Sequence, residues 1–147
     1  VDEGLIEKMA RAGCTDVSLG FESGSPKILA IMNKRFRPQE VRKISVMLKR
    51  HGIRQMGFLL LGGPGETKET VAESLAFADS LKLNLMKLTL GIRIYPNTPL
   101  AQTAIEDGII TPDQNLLFPS FYMVPDLKHW LPEIAKKWSD ERPNWIY

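Results

Sequence analysis

Three short stretches carry the residue types that bind or transform small molecules. Gly62-Gly63-Pro64-Gly65-Glu66-Thr67 is the first. A glycine-rich turn bares backbone N–H groups and lets a ligand approach the main chain closely, and a helix opening behind it favours an anion. It is not a Walker loop, because no Gly-Lys-Ser/Thr follows at the required offset, and it is not a dinucleotide fingerprint. The plain alternative is a tight turn in which Glu66 helps to open a helix. The second stretch, Glu22-Ser23-Gly24-Ser25, offers a carboxylate for a ribose hydroxyl or an amino group, or else an ordinary helix cap. The third is Arg93-Ile94-Tyr95-Pro96, whose guanidinium and phenol either meet a ligand or pair internally, for instance Arg93 with Glu22.

Other chemistry is excluded by what is missing. The single cysteine, Cys14, cannot form an internal disulfide or a thiolate-rich metal site. It reads as a buried, inert thiol. His51 and His129 are far apart, with no ligand spacing around them. No Ser/His/Asp or Cys/His nucleophile arrangement is legible. The chain has site-like turns without a chemical engine of its own.

The elements that would position these turns alternate in period. Helical stripes are predicted over residues 2–12, 25–32, 38–51, 68–81 and 99–107. Strands are predicted over 15–22, 53–61 and 85–95. Each of the three turns closes a strand. In the first strand Ser18, Gly20 and Glu22 share a face opposite Val17, Leu19 and Phe21. The second is apolar almost throughout, with Gln55, Gly57 and Gly63 assigned to the polar face. In the third, Lys87, Thr89, Gly91, Arg93 and Tyr95 oppose Met86, Leu88, Leu90, Ile92 and Ile94. Such strands joined by amphipathic helices imply parallel pairing with right-handed crossovers. Ligands in parallel α/β sheets sit at the carboxyl ends of the strands, where Glu22, the Gly62–Glu66 turn and Arg93 fall. The expected fold is α/β: a partial TIM-like (β/α) barrel of three parallel βα units over 1–110. Residues 111–147 form an aromatic-rich tail that packs back on it.

Composition agrees with a folded domain. Apolar residues make up 44% and charged residues 24% of 147, which excludes disordered and low-complexity classes. No apolar run approaches the length of a bilayer span and no signal peptide is visible, so a reducing cytoplasm is expected and no membrane partner. Residues 1–60 hold eleven Lys or Arg against six Asp or Glu, with most of the excess between Lys34 and Arg54. That run reads as a solvated helix face or as an RNA-contacting surface. The chain begins with Val, consistent with a piece of a longer protein.

The blocks Ala12–Ser25, Gly62–Thr67 and Arg93–Ala101, in this order and spacing, closely resemble the second half of the radical S-adenosylmethionine (SAM) core. The resemblance covers about residues 5–110. It is strongest to Fe–S oxidoreductases of the branch that often carries an N-terminal cobalamin-binding domain, and Arg142-Pro143-Asn144-Trp145 is similar to that branch as well. It implies a (β/α)6 barrel whose first half holds a Cys-x3-Cys-x2-Cys loop for a [4Fe–4S] cluster. Reductive cleavage of SAM to a 5′-deoxyadenosyl radical, or methyl transfer through cobalamin, is implied for the whole enzyme. So is a reductant of the flavodoxin or ferredoxin kind. The cluster loop is absent from these residues, so the piece alone is expected to be inactive. Glu22 and Ser23 would meet the SAM ribose or amino acid moiety. Gly62, Gly63 and Glu66 would form the adenine-side turn. The family's Gly-x-Ile-x-Gly-x-x-Glu pattern falls there on Leu59, Leu61, Gly63 and Glu66, with Leu59 in place of glycine. Arg93, Tyr95 and Pro96 would lie beside adenine or substrate.

The partner implied first is the N-terminal half of the same protein. Without it, strand 15–22 is expected to be an open edge, and the chain to self-associate. A non-catalytic α/β module that binds a nucleotide or other anion is the alternative reading.

Overall fold

A computed structural model describes residues 1–147. The chain runs α1 (Glu3–Arg11), β1 (Asp16–Glu22), α2 (Pro26–Ile31), α3 (Pro38–Arg50), β2 (Arg54–Leu61), α4 (Lys68–Ser80) and β3 (Leu85–Leu90). There follow β4 (Ile92–Arg93), α5 (Pro99–Glu106), β5 (Phe121–Tyr122), a short 3₁₀ turn (Pro125–Leu127), α6 (Trp130–Asp140) and β6 (Trp145–Ile146). Local chemistry sets the boundaries. Asp2 caps α1 by accepting from Leu5 N at 2.9 Å, and Thr67 and Thr98 cap α4 and α5 in the same manner. Gly13, Gly52 and Gly62 take φ values of +86°, +71° and +94°, so a helix, a helix and a strand end where only glycine turns cheaply.

The main sheet has the order β1-β2-β3-β6, every neighbour parallel. One face is covered. Val41 of α3, Val71, Leu75 and Ala78 of α4, and Leu131 and Ala135 of α6 pack on Phe21, Leu59, Leu61, Met86 and Leu88 of the strands. α1 adds a smaller cluster at the foot of the sheet, Ile6 against Met47, Leu48 and Ile53. The other face is open. It carries Ser18, Met56, Phe58, Leu60, Lys87 and Thr89, whose registers (Ser18 with Met56, Phe58 with Lys87, Leu60 with Thr89) put them on one side. This is the α/β partial barrel expected, with β1 as its edge.

Three sequence-based assignments need correction. Gln55 and Gly57 face the helices, not the open side. Gln55 Nε2 donates to Ser45 O at 3.0 Å, and a Cβ on Gly57 would meet Met86 Sδ at 2.4 Å. The polar-face assignment fails because a nearly all-apolar strand has no visible alternation, and pairing with β1 and β3 fixes its parity. Secondly, the strand predicted over 85–95 breaks at Gly91, φ +76°. Leu61 O accepts from Gly91 N at 2.7 Å, and the chain then leaves the sheet as β4, antiparallel to β5. Thirdly, the tail does more than pack back: Trp145, 5% exposed, brings β6 beside β3, where Met86 N donates to Asn144 O at 2.8 Å.

Candidate functional site

The carboxyl ends of β1, β2 and the β3–β4 segment converge on a cleft of about 460 Å³. Glu22 and Lys34 line one side, Leu60 and Pro64 the floor, and Ile92, Leu100 and Thr103 the far wall. Its size suits a small-molecule ligand. The backbone around Glu22 is unusual. β1 bulges between Leu19 and Glu22, and Glu22 takes φ +63°. Bulges of this kind re-aim a side chain at the end of a strand. Here the carboxylate reaches Lys34 Nζ at 2.6 Å, both side chains about a quarter exposed.

Two turns meet at this rim and are joined from behind. Ser23 is fully buried. Its Oγ accepts from Ser25 N at 3.1 Å and shares a hydrogen bond with Ser74 Oγ at 2.9 Å; Ser74 Oγ also accepts from Gly24 N at 3.1 Å. A Cβ on Gly24 would lie 2.4 Å from Phe77 Cβ, so only glycine fits against α4. α4 thereby holds the Glu22–Ser25 turn while its own N-terminus carries the glycine turn. Ser74 escaped the sequence reading. The available signal was a polar residue inside the buried stripe Val71, Leu75, Ala78.

Glu66 is 4% exposed and folds back on its own turn. Its Oε2 accepts from both Gly62 N and Gly63 N, while Oε1 is buried without a partner. Burial pushes its carboxyl up to about 7; the two glycine amides act the other way and lose. The anion-binding amides of the glycine turn are therefore already filled, by a side chain of the same loop.

Of the residues expected at the site, Glu22 lines the cleft, while Gly62, Gly63, Ser23 and Glu66 form the backbone frame behind it. Arg93, Tyr95 and Pro96 are exposed and line no part of it. The break at Gly91 resets the parity of the strand, so Ile92 faces the cleft. Arg93 stacks on Tyr95 at 4.8 Å on the other side of the ribbon and does not pair with Glu22. Lys34 is the charged cleft residue not expected at the site from the sequence; it stands in the loop after α2, outside any helical pattern. Cys14 is half-buried and not buried as expected, because it stands just before the edge strand β1; its Sγ donates to Asp16 O at 3.5 Å.

A parallel half-barrel with its cleft at the carboxyl rim defines the class: an α/β partial-barrel protein. The chain belongs to the radical SAM superfamily, whose family profile matches residues 1–78. An uncharacterised methyltransferase of Pyrococcus horikoshii is 29% identical over 92% of this chain. The tryptophan 2-C-methyltransferase of Streptomyces laurentii is 29% identical over 75%. The chain spans 29% and 20% of the lengths of those two relatives. Among solved structures, the radical SAM methyltransferase TsrM of Kitasatospora setae, with cobalamin and a [4Fe–4S] cluster bound, superposes with a TM-score of 0.67. That match has 26% identity over 73% of this chain and 20% of TsrM. TsrM with tryptophan and a SAM analogue bound covers 99% of this chain and 35% of its own at a TM-score of 0.79 and 20% identity. Archaeal Elp3 of Methanocaldococcus infernus shares the fold at 0.61, with 22% identity over 73% of this chain and 25% of its own. No helix is long and apolar enough to cross a membrane.

Proposed function

We propose that this chain supplies one wall of the SAM site in a radical SAM enzyme that transfers a methyl group. The observation that carries the reading is the Glu22–Lys34 pair lining the rim cleft. SAM ends in an α-ammonium and an α-carboxylate. Glu22 matches the first and Lys34 the second, so the zwitterion replaces the internal pair without leaving a charge unmatched. The apolar floor at Leu60 and wall at Ile92 and Leu100 suit the remainder of the ligand. Ser23 and Ser74 fix the turn that aims Glu22, and Glu66 stiffens the turn on the opposite side.

Methyl transfer is favoured over other radical SAM outcomes by the methyltransferase names of the two relatives. When bound, a reduced [4Fe–4S] cluster supplies the electron for SAM chemistry and cobalamin a methyl carrier. This chain's residues do not fit the cluster: it has one cysteine, remote from the rim, and no group of His, Cys, Asp and Glu able to hold a metal. On this reading the cluster, its reductant and cobalamin belong with the rest of the whole enzyme.

The rival anion-binding module is weakened by Glu66, which occupies the turn amides an outside anion would need. Calorimetric titration separates the two. SAM is expected to bind in preference to ATP, and Glu22→Gln to weaken it. Preference for ATP, unaffected by that substitution, would overturn the reading.

A further inference from the structure

The basic run 34–54 divides into two groups once its contacts are known. Arg42 donates to Ser80 Oγ at 2.7 Å and lies over the Phe77 ring. Lys49 donates to Leu81 O at 2.7 Å. Arg50 pairs with Glu3, and Arg54 with Asp16. Each ties one element to another. Lys43 is exposed on α3 without a partner; Arg35 and Arg37 are exposed too, with neither ion pair nor hydrogen bond from their guanidinium groups. They line a second cleft, of about 560 Å³, between α2 and the start of α3, together with Lys34, Phe36 and Gln39. No carboxylate lines it.

Three cations within four residues repel one another, and nothing on the covered side of the sheet requires them there. Residues 34–37 are loop, so helical periodicity did not place these charges on a solvated face. The one carboxylate in reach of the run from α3, Glu40, accepts from the Arg37 backbone N at 2.8 Å and leaves the guanidinium free. The dipole of the 13-residue α3 adds positive potential at the same end. Guanidinium forks match phosphate oxygens two at a time, which a lysine cannot do. Half-buried Phe36 between the two arginines gives the cleft an aromatic surface.

We propose that the Arg35–Arg37 cleft binds a phosphoryl group, as a subsite separate from the Glu22 cleft and joined to it through Lys34. Lys34 lines both clefts. A phosphoryl ligand draws its ammonium away from Glu22, so the two sites compete for one cation. The binding stands without the SAM reading; the competition rests on it.

The test is a titration of the ¹⁵N-labelled chain with AMP, with inorganic phosphate and with SAM, read residue by residue. AMP or phosphate is expected to shift the amides of residues 34–39. AMP binding tighter than phosphate assigns a nucleotide-like ester against Phe36, and equal affinity assigns free phosphate; both support the cleft. The Arg35→Ala/Arg37→Ala variant should weaken the phosphoryl ligand about tenfold or more. The Arg35→Lys/Arg37→Lys variant, which keeps the charge and loses the forks, should fall between. The SAM response at Glu22 and Gly63 should survive in both. No response at 34–39, an unchanged affinity in the alanine variant, or binding to RNA oligomers alone overturns the proposal. A lost SAM response in the unaltered chain sinks the SAM reading instead, and the two failures are told apart.

Discussion

Glu22 and Lys34 meet at 2.6 Å on one side of the rim cleft, from opposite ends of the β1–α2–loop segment. Glu22 gets there through a bulge and a left-handed backbone, not by strand geometry. The pair is only about a quarter exposed, so the cost of desolvating both charges offsets much of their attraction, and it adds on the order of 1 kcal/mol or less to folding. Its loss should be felt in binding. Glu22→Gln is expected to leave the melting temperature nearly unchanged and to weaken SAM by about tenfold, or 1.4 kcal/mol, by calorimetry. A large stability loss with unaltered SAM affinity would make the pair structural.

Glu66 makes stability depend on pH. Its carboxyl titrates near 7 in the folded chain against an ordinary 4.5. Between those values the folded state holds a proton that the unfolded state has released. Stability from this group is therefore greatest below about pH 4.5 and falls as pH rises to 7. At 1.36 kcal/mol per tenfold change in proton affinity, the loss across the whole interval is about 3 kcal/mol. Glu66→Gln keeps an oxygen for the glycine amides and cannot titrate. Urea unfolding at pH 5 and pH 8 should show the wild type losing more stability than this variant across the interval; parallel losses would contradict the assignment.

The limits of the sequence reading lie in particular residues. Helix and strand ends were legible because Gly13, Gly52 and Gly62 stop elements by backbone conformation, which needs no tertiary information. Glu22 and the glycine turn were legible for the same local reason, as they close strands. The face of β2 was not, since Met56 to Leu61 gives no polar partner to mark the inside, and the register with β3 decides it. In the sequence Gly91 reads as one more small residue of an alternating strand. Its positive φ is imposed by the approach to β5, where a Cβ would come within 3.0 Å of Tyr122 O, and that contact is 31 residues away in sequence. The exit of Arg93 and Tyr95 from the cleft follows from that one glycine.

Ser74 joins the two rim turns from a buried position. Ser74→Ala would leave Gly24 N without an acceptor and Ser23 Oγ with one partner fewer, at a cost of about 1–3 kcal/mol. Hydrogen exchange should accelerate at Gly24 and Ser25 before it does in β2. Gly24→Ala should cost a similar amount through overpacking on Phe77. Exchange unchanged at these two amides would show that α4 does not hold the turn.

Trp145 anchors the tail to the sheet. It is 5% exposed and packs edge-to-face on Trp138, with ring centroids 5.9 Å apart. Arg142 lies 3.7 Å over Trp138 and pairs with Asp79 at 3.2 Å, which fastens the same segment to α4. Trp145→Ala should cost about 3–5 kcal/mol, the range for emptying a large aromatic site. Arg142→Ala, which removes a partly exposed ion pair and empties no core site, should cost much less. Equal costs would mean that the ion pair, not the buried ring, holds β6 in place.

β1 is hydrogen-bonded on one side only, and its outer edge has no neighbour in the main sheet. Beside it the open face bears Met56, Phe58 and Leu60, apolar side chains without a covering layer. An unpaired edge next to apolar surface invites a second strand, and natural edges resist this by carrying lysine. Ser18 lies exposed in the middle of β1. Sedimentation of the chain at rising concentration should therefore show association, and Ser18→Lys should suppress it while leaving the circular dichroism spectrum intact. If the wild-type chain stays monomeric at every concentration, the edge is already guarded by its own twist and bulge, and the open face needs no partner to remain in solution.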